Sequence, residues 1–137
     1  MGNIDPQQEI FTAYKLALEE MGYSVYDGCL PPEKSEDNPE GAEYPFIYLE
    51  DFRQSDQMLK NAVMGSVYPT ISVWHNNTNQ RGTVSQMLSD VKRVIYSINK
   101  TKSYSWLVQS VETRIIPDKT TKTPLLHGIV EAGLKFS

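Results

Sequence analysis

The sequence predicts an α+β domain, a mainly antiparallel sheet covered on one face by two helices and closed by a C-terminal β-hairpin. Three observations predict it. Two segments repeat apolar residues at helical spacing, several runs are β-branched and aromatic, and they follow one another as helix, strands, helix, hairpin. At 137 residues the chain has room for one core, so the expected organisation is a single domain over 1–137 without internal repeat or linker.

The first helix is expected over 6–21. Asp5 suits its N-cap, Pro6 its first helical position and Gln8 the capping-box partner. Ile10, Ala13, Tyr14, Ala17, Leu18 and Met21 form its apolar stripe, and Gly22 is placed to end it. Tyr23, Val25 and Tyr26 suit a short extended piece, after which residues 30–43 combine prolines, glycines and acids into a long exposed loop. Residues 44–50 read as a strand with Pro45 at its entrance, whereas 51–66 have no clean period and read as a loop or a bulged continuation of that strand. A strand follows over 67–74, with Val67, Ile71 and Val73 on one face and Tyr68, Thr70, Ser72 and Trp74 on the other; its Pro69 argues for an edge or a bulge. Residues 75–82 have turn composition, and Thr83 then caps a second helix over 84–99, striped by Met87, Val91, Val94, Ile95 and Ile98. Strands over 105–116 and 125–136 close the domain. In the last, Leu126, Gly128, Val130, Ala132, Leu134 and Phe136 alternate with His127, Ile129, Glu131, Gly133 and Lys135, one apolar face against one largely polar face. The connection between them, 117–124, is longer than a hairpin needs and is bracketed by Pro117 and Pro124, so it is expected to project.

The net charge of −4 hides an asymmetry. Residues 1–56 hold 3 basic and 13 acidic residues, a balance of −10, and residues 57–137 hold 10 basic and 4 acidic, a balance of +6. If the two regions occupy different faces, an acidic face of one copy meets a basic face of the next, a head-to-tail contact that closes rings or builds filaments. The basic residues are scattered and the sequence pI is about 5.1, which disfavours nucleic acid as a partner. The apolar runs are far short of the roughly 20 residues that cross a bilayer. The polar start carries no export signal, and Pro6 stands where a myristoylation pattern needs Ser or Thr, so the chain is expected in the cytoplasm, away from membranes.

The search for chemistry assembles no catalytic, cofactor or metal site. The single cysteine, Cys29, forms no intramolecular disulfide, and its acidic surroundings would raise the thiol pKa. His75 ends one strand and His127 begins another, neither with a second ligand at helical or turn spacing. Walker, GxGxxG and HExxH motifs are missing from the sequence, and the carboxylates of the acidic loop do not follow calcium-loop order. The Asn76 and Asn99 sequons read as chance. Tyr44, Phe46, Tyr48, Phe52, Tyr68 and Trp74 read as sheet packing; the competing reading is a ligand pocket lined by Tyr44, Tyr48, Trp74 and Trp106.

The runs YPFIYLED and ISVWHNN, then a turn, the helix SQMLSDVKRVIYSI and the final strand HGIVEAGLKF, resemble the tail terminator family, the tail-completion proteins of long-tailed bacteriophages. The resemblance covers nearly the whole chain. It implies a structural protein without catalytic residues or cofactor, which forms a ring, commonly a hexamer, on the last layer of the tail tube. Such a ring stops tube growth and offers a docking face to the head. The implied partners are further copies of itself, the major tail tube protein and a head-completion or connector protein, with no direct nucleic-acid recognition. The implied location is the host cytoplasm during assembly and then the neck of the virion. On this reading the loop of Pro117, Lys119, Thr120, Thr121, Lys122 and Pro124 is expected to contact the tail tube or line the lumen, and Glu36, Asp37, Glu40 and Glu43 to lie at a subunit or head-side contact. The alternative within this class is another neck component, a head-completion or stopper protein.

Overall fold

The computed structural model of the chain describes residues 5–28, 34–58 and 63–137. Helix α1 (Pro6–Glu20) leads through a short strand β1 (Val25–Asp27) to the long strands β2 (Phe46–Met58) and β3 (Val63–His75). Helix α2 (Arg81–Ser97) and the strands β4 (Trp106–Asp118) and β5 (Leu125–Phe136) follow. The strands form one five-stranded sheet in the order β1-β2-β3-β5-β4, antiparallel throughout except for the β1–β2 pair, which is parallel. The expected α+β class, the two helices and the closing hairpin are all present.

The alternation of the strands decides where the core sits. In register, Ile47, Val73, Gly128 and Ile115 make one row across the sheet, Leu49, Ile71 and Val130 the next, Val67, Leu134 and Val108 another, and Gly65, Phe136 and Trp106 the last. Both helices pack on this inner face. The α1 stripe of Ile10, Tyr14 and Leu18 and the α2 stripe of Val84, Met87, Leu88, Val91, Val94 and Ile95 are buried there in a single cluster. Gly128 lets α2 approach closely, because a Cβ at that position would stand 2.9 Å from Val84 Cγ1 and 3.0 Å from Leu88 Cδ2. No helix among the described residues is long and apolar enough to cross a membrane.

The helix ends differ from expectation in instructive ways. Helix α1 stops at Glu20 in a Schellman turn, with Tyr23 N–H donating to Leu18 O, Gly22 N–H to Glu19 O, and Gly22 at φ 95°. At its start Asp5 holds the N-cap position with Pro6 behind it, but no side chain closes a cap; Gln8 donates instead to Thr12 Oγ1, so the expected capping box does not form. Helix α2 begins at Arg81 and ends at Ser97, so Thr83 lies inside its first turn and is not the cap. The N-cap is Gln80, reached from an Asn77 turn in which Asn79 N–H donates to Asn77 Oδ1 and Gln80 N–H to Asn77 O.

Of the two readings of 51–66, the bulged continuation holds for 51–58: β2 runs on past a bulge between Leu49 and Asp51, and the pairs Gln57–Met64 and Met58–Val63 carry a β2–β3 hairpin arm beyond Gly65, the last β3 residue paired with β5. Two other strand expectations change. Pro69 lies in β3, an interior strand, not at an edge. Its missing N–H is absorbed because the β3–β5 ladder is interrupted between Val67 and Thr70. Pro117 and Asp118 belong to β4, paired with Leu126 and Leu125, so the projecting loop is confined to 119–124; β4 is an edge strand, where a proline is tolerated.

Candidate functional site

The sheet has one covered and one uncovered face, two flanks and two ends, and the candidate residues are distributed over these surfaces. Because neighbouring long strands are antiparallel, β2 and β5 run one way and β3 and β4 the other. The pairs Phe46–Trp74, His75–Leu126 and Asp118–Leu125 therefore bring the approach to β2, the end of β3 and the β4–β5 loop to the same end of the sheet. The hairpin arm of β2 and β3 projects from the other end.

Lys119, Thr120, Thr121 and Lys122 are all exposed in the β4–β5 loop, as is Pro124. Asp118 organises the start of this loop, accepting 2.6 Å and 2.9 Å hydrogen bonds from the Thr120 hydroxyl and N–H, which hold its carboxyl below the ordinary value. Thr121 Oγ1 donates to Thr123 O. Glu36, Asp37, Glu40 and Glu43 are exposed on residues 34–43, a segment folded on itself. Ser35 and Asn38 exchange backbone hydrogen bonds at 3.1 Å, Lys34 N–H donates to Ala42 O at 2.9 Å, and Lys34 Nζ lies 3.4 Å from Glu43. The structure thus puts the two charged candidates at the same end, the acidic one beside β1 and β2 and the basic one at the β4 edge. It does not bring them into contact within one copy. Cys29 and Glu33 lie outside the described residues.

The uncovered face carries a polar constellation that sequence reasoning missed. Ser72, fully buried, donates through Oγ to Glu50 Oε1 at 2.6 Å, and His127 Nε2 lies 2.8 Å from the same Oγ and 4.0 Å from Glu50. The His127 ring stacks on Trp74, its neighbour across the β3–β5 pair, with centroids 3.7 Å apart and planes 10° from parallel. With the Ser72 proton given to Glu50, His127 Nε2 acts as donor to Ser72, so the serine stands between histidine and acid. A nucleophilic triad needs the histidine between them and an accessible hydroxyl. The arrangement ties β2, β3 and β5 together across the face. Burial lowers the His127 pKa below its ordinary 6.5, against the opposing pull of Glu50 and Asp118. The alternation of 125–136 places His127 on this face; its meeting with Ser72 depends on the β3–β5 register, which no local pattern encodes.

His75, the other histidine, is buried on the inner side and donates through Nε2 to Gln80 Oε1 at 2.6 Å, joining β3 to the α2 cap. The competing reading, a pocket of Tyr44, Tyr48, Trp74 and Trp106, is not met. Tyr48 and Trp74 stand on the outer face, and Tyr48 donates to Gly28 O. Trp106 is buried on the inner face against Tyr104 and Phe136, its Nε1 donating to Thr101 at 2.9 Å. The sheet lies between them. What hollows the outer face offers are open and polar. One, of about 390 Å³, is lined by Glu112, Thr113, Arg114, Ile129 and Glu131, and the other, of about 410 Å³, includes Asp51, Arg53, Tyr68 and Ser110. Across them Glu112 pairs directly with Glu131, with Arg114 3.8 Å from Glu131, and Arg53 lies 4.2 Å over the Tyr68 ring. Among the described residues no group of three or more histidine, cysteine or acidic side chains is placed to hold a metal ion.

No family model matches this chain, and no curated protein does. Among solved structures, it is similar to a chain of the virion of a native gene transfer agent particle, with a TM-score of 0.58 at 12% identity, covering 95% of this chain and 94% of the other. The two share a fold from end to end.

Proposed function

We propose that this chain is a structural component of a virion, and specifically a tail terminator, which closes the tail tube of a long-tailed bacteriophage as a ring and presents the surface that joins the head. The observation that carries this reading is the likeness of fold to a virion chain over 95% of this chain and 94% of that one, the same span over which the sequence motifs resemble the terminator family. The surfaces support it. Two exposed charged segments of opposite sign share one end of the sheet, and the constellation resembling a triad has its serine buried and its proton committed. In this reading the ring is a hexamer and its work is done by contact surfaces alone, without catalysis or cofactor. The 119–124 loop meets the major tail tube protein or lines the lumen, Glu36, Asp37, Glu40 and Glu43 lie at the contact between subunits, and a head-completion protein docks on the far side.

The test is the mass of the purified chain by light scattering, alone and with purified tail tubes, with negative-stain images of the tube ends. The expected result is a ring, or a cap at one end of each tube and an end to tube growth. A chain that leaves tubes uncapped and binds portal-bearing heads instead would reassign it to the head-completion or stopper proteins. One that binds neither would remove it from the neck altogether.

A further inference from the structure

We infer that a second copy of this chain docks along the β4 flank, so that Lys119 and Lys122 of one copy meet Glu36, Asp37 and Glu40 of the next. The inference deepens the ring reading and takes from it the head-to-tail relation between copies.

Strand β4 is an edge strand of thirteen residues with no partner on its outer side among the described residues, and it exposes Leu107 to 64% and Ile116 to 40%. Long edges with exposed apolar side chains are surfaces that monomeric proteins blunt, because unpaired strand groups recruit other chains. The opposite flank is also only partly closed. Strand β1 pairs with β2 at Ile47, Tyr48 and Leu49 alone, and beyond them the β2 side is touched by Gln7, whose side chain donates to Phe52 O and whose N–H donates to Gln54 Oε1.

Strand β4 runs opposite to β2. When copies are related by rotation about an axis along the strands, the β4 flank of one therefore faces the β1–β2 flank of the next in antiparallel sense. Corresponding ends stay level, so the 119–124 loop of one copy comes beside the 34–43 segment of its neighbour.

Lys119 and Lys122, and Glu36, Asp37 and Glu40, have no ion-pair partner among the described residues, whereas Glu43 has Lys34. Within a copy three strand spacings, roughly 14 Å, separate β2 from β4, which is beyond ion-pair reach. Between copies the same groups are adjacent and opposite in sign, which is the complementarity a head-to-tail contact requires.

The experiment mixes isotopically light and heavy full-length chains, with and without tail tubes, and applies a zero-length amine-to-carboxyl cross-linker, followed by mass mapping. Light-to-heavy links from Lys119 or Lys122 to residues 36–40 are expected. K119E/K122E removes both loop amines and sets acid against acid, so its readout is association: the oligomer fraction should fall by about tenfold, while links from the remote Lys92 serve as the internal reference for cross-linking. A chain carrying K119E/K122E together with E36K/D37K/E40K reverses both partners and should recover the wild-type oligomer mass. Links confined to single chains, or an oligomer mass unmoved by K119E/K122E in a variant with wild-type circular dichroism, would overturn the inference. The outcome is separable from that of the ring's function, since copies can link in this way without capping tubes, and tubes can be capped by rings joined elsewhere.

Discussion

Glu9 is the one buried acid among the described residues. It is buried at the start of α1, where Ser103 N–H donates to Oε1 at 3.0 Å, closing the segment after α2 onto the first helix. Burial pushes its carboxyl up, but the Ser103 N–H bond, with the neighbouring Thr101 and Ser103 hydroxyls and Lys102, outweighs this and leaves it below the ordinary 4.5. A lowered folded pKa means that the unfolded chain takes up the proton first. The stabilisation from Glu9 is therefore complete above 4.5 and is lost as pH falls through and below that value. Glu9→Gln should lower stability by about 1 kcal/mol near neutral pH and flatten the acid limb of a denaturation series measured from pH 7 downwards. His127 gives the complementary test. Its folded pKa is lowered, so stability rises with pH through the region below 6.5 and is fully present above it. Because the ring lies on Trp74, tryptophan emission should titrate with a midpoint below 6.5, and His127→Gln should abolish that titration. The identity of both residues could be read from the sequence, but their roles could not. Each acts through a partner brought to it by tertiary structure, Ser103 for Glu9 and Ser72 for His127.

At the scale of elements, the strength of the local pattern tracks how much of an element is half-buried. Strand β5 alternates cleanly because helices cover one of its faces and not the other, and its observed bounds coincide with those expected from sequence. The distal part of β2 leaves both its faces open beyond Arg53, where most residues are exposed, so no period of two is imposed on residues 51–58 and the hairpin arm was not legible as such. Pro69 misled for a related reason. A proline excludes a ladder hydrogen bond on one side of a strand, but whether that side has a gap depends on β5, which enters the sheet from the far end of the sequence. The packing of α2 on β5 offers a sharp test. Gly128→Ala would place a methyl 2.9 Å from Val84 and 3.0 Å from Leu88, and should cost about 1–3 kcal/mol in chemical denaturation. Leu88→Ala creates a cavity at the same place, so the two changes should couple: G128A/L88A should lose less stability than the sum of the two single losses.

For the molecule as a whole, the sequence showed an acidic first part and a basic remainder, and the fold gives that division a geometry. Helix α1, β1 and β2 make up one flank, and β4, β5 and their loop the other. What the sequence could not show is that the two charged segments share an end of the sheet, since this follows from the strand order alone. A test of the whole-molecule charge layout is ionic strength. If copies associate through Lys119, Lys122 and the 36–40 acids, raising salt from about 0.05 M to 0.5 M should weaken association measurably, since screening lengths fall to a few ångströms. An association held by the apolar residues of β4 alone would instead strengthen or stay constant.

The place of β5 in the sheet bears on when this subunit becomes competent. Strand β5 lies between β3 and β4 although it is made after both, and without it β4 has no strand to pair with and β3 loses one side. A nascent chain that has emerged only as far as the β4–β5 loop can form α1, α2 and the β2–β3 hairpin but cannot unite them over a sheet. Synthesis at about 5–20 residues per second leaves this interval short. Its effect is that the β4 flank does not exist as a docking surface until residues 125–136 have left the ribosome, so translation itself times the first moment at which copies can meet.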